Sequence, residues 1–264
     1  MSTYDARSLD GKVLIITGGT QGLGEAIARR AKDLGASGIA LLGRNQERGE
    51  AVAESLTGDE CEAIFVQTDL EKVDDCRNAV RKTDERFGRI HGLVNAGADT
   101  SRGSLESTTP ELWDRLLAIN TRAPFFLMQE TVGVMRRERI AGSIVNVLSM
   151  SAHGGQPFLV AYSVSKGALA TLTKNQAYAL REDRIRVNGL NIGWMASPGE
   201  HSIQKLEGQP DDWLKSADAR MPYGRILRPE DVAGITTYML SDDAQMMNGS
   251  LVDFDQHVMG IYMP

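Results

Sequence analysis

The sequence predicts an α/β fold: a doubly wound, parallel, seven-stranded sheet between two layers of helices. Three observations carry this expectation. Seven short apolar runs recur along the 264 residues without apolar/polar alternation, as in strands buried on both faces. Helical periodicity falls between the runs, the order that builds a parallel sheet by crossover. The first run passes through a glycine-rich turn, Gly18-Gly19-Thr20-Gln21-Gly22-Leu23-Gly24, straight into a helical stretch.

The runs lie at 12–17, 37–42, 62–66, 90–94, 143–148, 185–190 and 249–253. After the first, Leu23, Ala26, Ile27, Ala31 and Leu34 repeat at helical spacing and predict a helix over 23–34. Further helices are expected near 46–56, 71–86, 110–138 and 161–181. One segment breaks the rhythm. Residues 194–224 hold Pro198, Gly199, Gly208, Pro210, Pro222 and Gly224 with few periodic apolar positions. They are expected to form a long irregular insert, the usual material of a lid. No repeat, linker or low-complexity tract divides the chain, so residues 1–264 are expected to form one domain carrying that insert.

Composition narrows the classes. A 42% hydrophobic content fills a core, and a formal net charge of −6 with no basic run argues against broad nucleic-acid binding. Cys61 and Cys76 stand outside any CxxC or Cys/His cluster. A zinc site is therefore not expected, and unbridged thiols suit a reducing, cytoplasmic setting. The first residues lack the apolar core of a signal peptide, and no apolar run approaches a membrane span.

The glycine turn sets out a site. A strand, a turn and a helix N-terminus aim backbone N–H groups and the helix dipole at one spot and favour an anion there. Glycines at 18, 22 and 24 allow the turn, the approach of a pyrophosphate and close helix packing. Tyr162 and Lys166 lie one helical turn apart and share a helix face. A phenol titrates near ~10, and each unit of lowering corresponds to ~1.4 kcal/mol. An ammonium and a cofactor charge beside it would favour the phenolate, and a phenol so tuned exchanges a proton with an alcohol or carbonyl. Ser149 ends an apolar run, Asn120 ends the stretch Leu117-Ala-Ile-Asn120, and Asn95-Ala96-Gly97 follows Leu93-Val94.

Together these motifs resemble the single-domain short-chain dehydrogenases/reductases, over nearly the whole chain. The resemblance implies a Rossmann-type three-layer αβα fold and a homotetramer. It also implies reversible hydride transfer between a nicotinamide cofactor and a small-molecule alcohol or carbonyl, with no metal, membrane or nucleic-acid partner. It assigns Tyr162 as general acid/base, Ser149 as the hydrogen-bond partner of the substrate oxygen, Lys166 as the group that lowers the tyrosine pKa and holds the nicotinamide ribose, and Asn120 as the holder of a relay water. For the cofactor it implies Gly18, Thr20, Gln21, Gly22, Leu23, Asp69, Leu70, Asn95, Ala96, Gly97, Tyr162, Lys166, Gly193, Met195 and Ser197.

Cofactor choice is read after the second strand, where an acid would hold the ribose of NAD(H). The chain instead has Gly43-Arg44, and Arg44 can pair with a 2′-phosphate or stack on adenine. NADP(H) is favoured. Gln21 replaces the basic residue usual in the turn of NADP(H) users, which leaves NAD(H) open. Asp69 has a second reading as a helix N-cap. Two departures from the family pattern stand out: Gly193-Trp194 lacks the usual proline, and Asp255-Gln256-His257 replaces Asp-Gly-Gly before a tail, 258–264, that would cover a pocket, reach a neighbouring subunit or hang free.

Ser151 competes with Ser149 for the serine role. His153, Gln156 and Trp194, with Glu200, His201 and Gln204 in the insert, suggest a hydroxyl-rich ligand such as a sugar, sugar acid or polyol. A 3-oxoacyl or small-ketone reductase is the alternative enzyme, and a catalytically silent nucleotide sensor the alternative of another class.

Overall fold

The computed structural model describes residues 8–259. In chain order it comprises β1 (Val13–Thr17), α1 (Gly22–Asp33), β2 (Gly38–Gly43), α2 (Gln46–Leu56), β3 (Glu62–Gln67), α3 (Val73–Phe87), β4 (Gly92–Asn95), α4 (Pro110–Leu117), α5 (Ala123–Arg137), β5 (Ser143–Val147), α6 (Val160–Ala179), β6 (Arg186–Ile192), α7 (Pro198–Leu206), α8 (Trp213–Ala219), α9 (Pro229–Leu240) and β7 (Leu251–Phe254). All seven strands are parallel, in the order β3-β2-β1-β4-β5-β6-β7. The chain thus reverses its winding between β1 and β4, and the sheet is of the Rossmann type.

Alternate strand residues feed two cores. Leu14, Ile16, Ile39 and Leu41 meet α1, α2 and α9 on one face. Ile15, Ala40, Leu93 and Ile144 meet α3, α5 and α6 on the other. That two-sided burial explains the unbroken apolar runs. Both cysteines are free and buried, and burial pushes the Cys76 thiol up to about 11. Among the described residues no helix is long and apolar enough to cross a membrane.

Three expectations are corrected. The stretch 110–138 is not one helix: a π turn at Ala118–Arg122 separates α4 from α5 and carries Asn120. Such turns add one residue without breaking the helical path, so side-chain periodicity barely registers them. The insert is not irregular but holds α7 and α8. They close over a satellite core of Ala196, Trp213, Ala217 and Ile226, against which Trp194 and Met221 pack. Its start was legible: Ser197 accepts from Glu200 N at 3.1 Å and Pro198 takes the first turn, a capped helix N-terminus in the sequence itself. Helix α9, absent from the periodicity reading, buries Thr236 and Thr237 beside Val232 and Ala233. Both hydroxyls donate to carbonyls one turn back, at 2.8 and 2.9 Å, so threonines serve as core residues and hide the apolar stripe.

Candidate active site

The loops after the C-terminal ends of all seven strands enclose one cleft of about 1310 Å³. Its floor is the glycine turn. Gly18 and Gly22 have φ of +66° and +55°, a backbone that side chains with a Cβ resist. At Gly24 a Cβ would stand 2.3 Å from Gly18 O. Helix α1 starts after Gln21 with no side-chain cap. The Gln21 side-chain Oε1 instead accepts from Arg48 Nη1. The first N–H groups of α1 therefore remain available to an anion.

Of the residues expected at a site, Gly18, Thr20, Gln21, Gly22, Leu23, Arg44, Asp69, Leu70, Ala96, Gly97, Ser149, Ser151, Gln156, Tyr162, Lys166, Gly193, Trp194, Met195 and Ser197 line this cleft. Three do not. Asn95 is buried in the sheet, where its Nδ2 donates to Asn146 Oδ1 at 2.8 Å and its own Oδ1 has no partner. Asn120 stands behind the wall: Oδ1 accepts from Asp99 N at 2.9 Å, and Nδ2 donates to Asp99 O at 2.9 Å and Ser165 Oγ at 3.0 Å. It ties the loop after β4 to α6. His153 turns outward onto Asp253 Oδ1 at 2.9 Å, because the short helix at Met150–His153 carries it away from the cleft.

Asp69 is not a helix cap. Its Oδ1 accepts from Glu71 N at 3.1 Å, while α3 begins at Val73 after an uncapped Lys72. Gln256 bridges the end of β7 to the insert, accepting from Tyr223 N at 2.9 Å and donating to Arg225 O at 2.8 Å. This replacement for glycine ties down the insert's far end, and Asp255 and His257 beside it line the cleft. Of the tail, 260–264 lies outside the described residues.

Four groups converge at the inner end. Ser149 hydrogen-bonds the Tyr162 phenol and accepts from Ser151 N at 3.1 Å. Ser151 Oγ donates instead to Gln156 Oε1, so the two serines have separate partners. Lys166 Nζ donates to Val147 O at 2.7 Å and lies 5.8 Å from the Tyr162 ring centre. Ser165 Oγ donates to Tyr162 O at 2.7 Å, joining the Asn120 network to the same turn of α6.

Burial and neighbouring groups set the charge balance of the phenol and the ammonium. Burial pushes the phenol up to about 12, the Ser149 hydrogen bond pulls it down, and the Glu200 carboxylate pushes it up again. Burial draws the Lys166 ammonium down to about 8. Among the protein's own groups desolvation is the largest influence on the phenol.

These residues fit a dinucleotide. Uncapped N–H groups over a glycine cradle suit a pyrophosphate, Arg44 and Arg48 flank the end of β2, and Lys166 and Tyr162 close the far end. The cleft residues not read from the sequence include Arg48, Arg102, Phe158 and Trp213. Arg48 lies in the first turn of α2, four positions after Arg44, and could have been found by that short separation. Arg102 could not, since its partners Glu200 and Glu207 lie about a hundred residues on.

Comparisons with known proteins agree with this geometry. The family model described as enoyl-(acyl carrier protein) reductase matches residues 18–256. An oxidoreductase of Thermotoga maritima is 34% identical over 248 residues, covering 94% of this chain and 97% of that protein. The NADP-dependent (R)-specific alcohol dehydrogenase of Lentilactobacillus kefiri is 34% identical over 244 residues, 92% of this chain and 94% of its own. Dehydrogenase/reductase SDR family member 4 of Bos taurus is 33% identical over 245 residues, 92% of this chain and 86% of its own.

Proposed function

This chain belongs to the short-chain dehydrogenase/reductase family and is an oxidoreductase acting on CH–OH groups with a nicotinamide cofactor, and from that premise we propose that it uses NADP(H) to interconvert a hydroxyl-rich alcohol, a sugar, sugar acid or polyol, with its carbonyl form. The observation that carries the substrate reading is the cleft wall formed by Gln156, Trp194, Glu200 and Gln204 beside Tyr162. Polar groups on an aromatic wall suit a ligand with several hydroxyls and one apolar face.

When bound, the nicotinamide takes up or delivers a hydride at the substrate carbon. The chain's own residues do the rest. Ser149 donates a hydrogen bond to the substrate oxygen. Tyr162 Oη gives that oxygen a proton in reduction and takes it in oxidation. Lys166, fixed on Val147 O, supplies positive charge beside the phenol and a donor for the ribose. Asn120 holds the loop and the helix turn between which a relay water would lie. What supports these roles is the Ser149–Tyr162 hydrogen bond and the convergence of Lys166 on the same inner end.

The aromatic wall favours a second reading. Trp194 and Trp213 stack with ring centres 5.7 Å apart, and Phe158 stands in the same cleft. A small-ketone or 3-oxoacyl reductase would use that apolar surface, and the Lentilactobacillus relative is named as an alcohol dehydrogenase. A homotetramer belongs to the proposal, supported by an exposed apolar groove that Leu117, Phe125 and Leu172 help to line. Two unbridged thiols suit a cytoplasmic setting.

The test is turnover of a panel of polyols, sugars, sugar acids and ketones with NADP(H) and NAD(H). Preference for polyols or sugars with NADP(H) is the expected result. Turnover confined to ketones of low polarity would replace the first reading with the second, and cofactor binding without any turnover would make the protein a sensor.

The cofactor reading has its own variant. Arg44→Ala should raise the Kd for NADP(H) by about tenfold or more while moving that for NAD(H) by less than about threefold, the loss of one charge-assisted contact to a phosphate. Equal losses for both would mean that the guanidinium stacks on adenine and reads no phosphate.

A further inference from the structure

At the substrate end of the cleft one carboxylate is bonded on one side alone. Glu200, in the first turn of α7, accepts from Trp194 Nε1 at 2.8 Å, Gln204 Nε2 at 2.7 Å and Arg102 Nη2 at 3.2 Å, all on Oε1. Among the described residues Oε2 has no partner, and it is not among the buried polar atoms left without one. Since Glu200 lines the cleft with a side chain only 14% exposed, that oxygen opens onto the cleft. Three donors from two walls hold the carboxylate in one orientation.

The charges around it are largely matched. Arg102 is shared between Glu200 and Glu207 and lies over the Phe158 ring. Arg115 pairs with Asp99 at 2.9 Å. Lys166 is tied to Val147 O, and Asp255 and His257 pair with each other. Arg220, on the exposed rim, donates to Ser216 O. Among these charged groups the one that presents an unpaired oxygen to the cleft and acts on the phenol is the Glu200 carboxylate.

We propose that Glu200 is the specificity-determining residue of this cleft: its Oε2 accepts a hydrogen bond from a second hydroxyl of the substrate, favouring neutral hydroxyl-rich alcohols over those bearing a carboxylate or phosphate. The inference rests on the hydroxyl-rich reading above and narrows it, removing sugar acids. An ionised carboxylate only accepts, so a donor gains a charge-assisted bond and a second anion is repelled. The same charge acts on Tyr162, where it opposes formation of the phenolate.

The experiment is steady-state kinetics of alcohol oxidation by the cofactor-saturated enzyme, for a polyol and a matched mono-alcohol, from neutral to alkaline pH. Glu200→Gln should raise KM for the polyol by about tenfold or more and that for the mono-alcohol by less than about twofold, as expected for one hydrogen bond to a charged group. The rise of kcat with pH should move to lower pH by roughly half a unit or more. Glu200→Asp keeps the charge, so its pH profile should match wild type while its polyol KM rises. Turnover of mono-alcohols and no polyol by wild type would overturn the hydroxyl-rich reading itself. Polyol turnover by wild type, with an unchanged KM ratio or an unmoved pH profile in folded Glu200→Gln, would overturn this inference alone.

Discussion

Tyr162→Phe should lower kcat in both directions by about 10²–10⁴-fold, the range that a positioned general acid/base contributes, while the Kd for the nicotinamide cofactor changes by less than about threefold. The physical case rests on a single oxygen. Tyr162 is buried, its hydroxyl bonds Ser149, and its ring packs with Leu116 and Ala161 against Leu112, Trp113 and Leu159. Phenylalanine keeps that ring packing and deletes the proton carrier. Stability should change by no more than about 1.5 kcal/mol, the usual net worth of a hydrogen bond, and Ser149 keeps its bond from Ser151 N. Rapid-mixing turnover, cofactor fluorescence titration and a thermal melt separate these effects. A variant within tenfold of wild-type kcat would remove the phenol from the reaction.

The same oxygen sets the direction of the pH dependence. With the phenol pushed up to about 12 it is protonated at neutral pH and ready to donate. Carbonyl reduction should therefore hold level through neutral pH, and alcohol oxidation, which needs the phenolate, should climb as pH rises. An oxidation rate that fell with pH would contradict this assignment.

The second large effect is expected at Gly24. A methyl group there would stand 2.3 Å from Gly18 O, 2.6 Å from Gly18 C and 2.9 Å from Gly19 Cα. Each of these is backbone of the turn, so no flexible side chain can yield. Gly24→Ala must push α1 away from the turn or bend the turn itself. We expect a loss of about 1–3 kcal/mol in stability, which is a fall of roughly 2–12 °C in Tm for a chain of this size. The dinucleotide Kd should rise by about tenfold or more, because the N–H groups of the cradle move with the turn. Gly133→Ala, in α5 with nothing within 4 Å of its added methyl, is the control and should stabilise by roughly 0.5–1 kcal/mol. Equal Tm values and cofactor affinities for both variants would show that the cradle tolerates a side chain.

Much of the scaffold was legible because the relevant forces are local. The seven strands fall within about two residues of their apolar runs, and β1, β2, β4 and β5 are buried along nearly their whole length. Helix α1 and the positive-φ glycines follow from the turn's own sterics. Other features were hidden by substitutions of one chemistry for another. Threonines that bond their own helix stand in for aliphatic residues in α9, and a π turn at Asn120 leaves the apolar spacing nearly intact. The insert was readable at its capped start and unreadable beyond, because its core is completed by Trp194 and Ile226 at its two ends.

The amino-acid order alone determined the parallel sheet, the glycine cradle and the placement of Tyr162 and Lys166 on one helix face, all consequences of short-range sterics and of burial periodicity. Tertiary structure decided the rest. It turned His153 outward, put Asn120 behind the wall, hung Arg102 between two carboxylates of the insert, and pushed the phenol up by burial. Those outcomes depend on desolvation and on partners far away in the chain, and both are properties of the assembled cleft that no stretch of sequence contains.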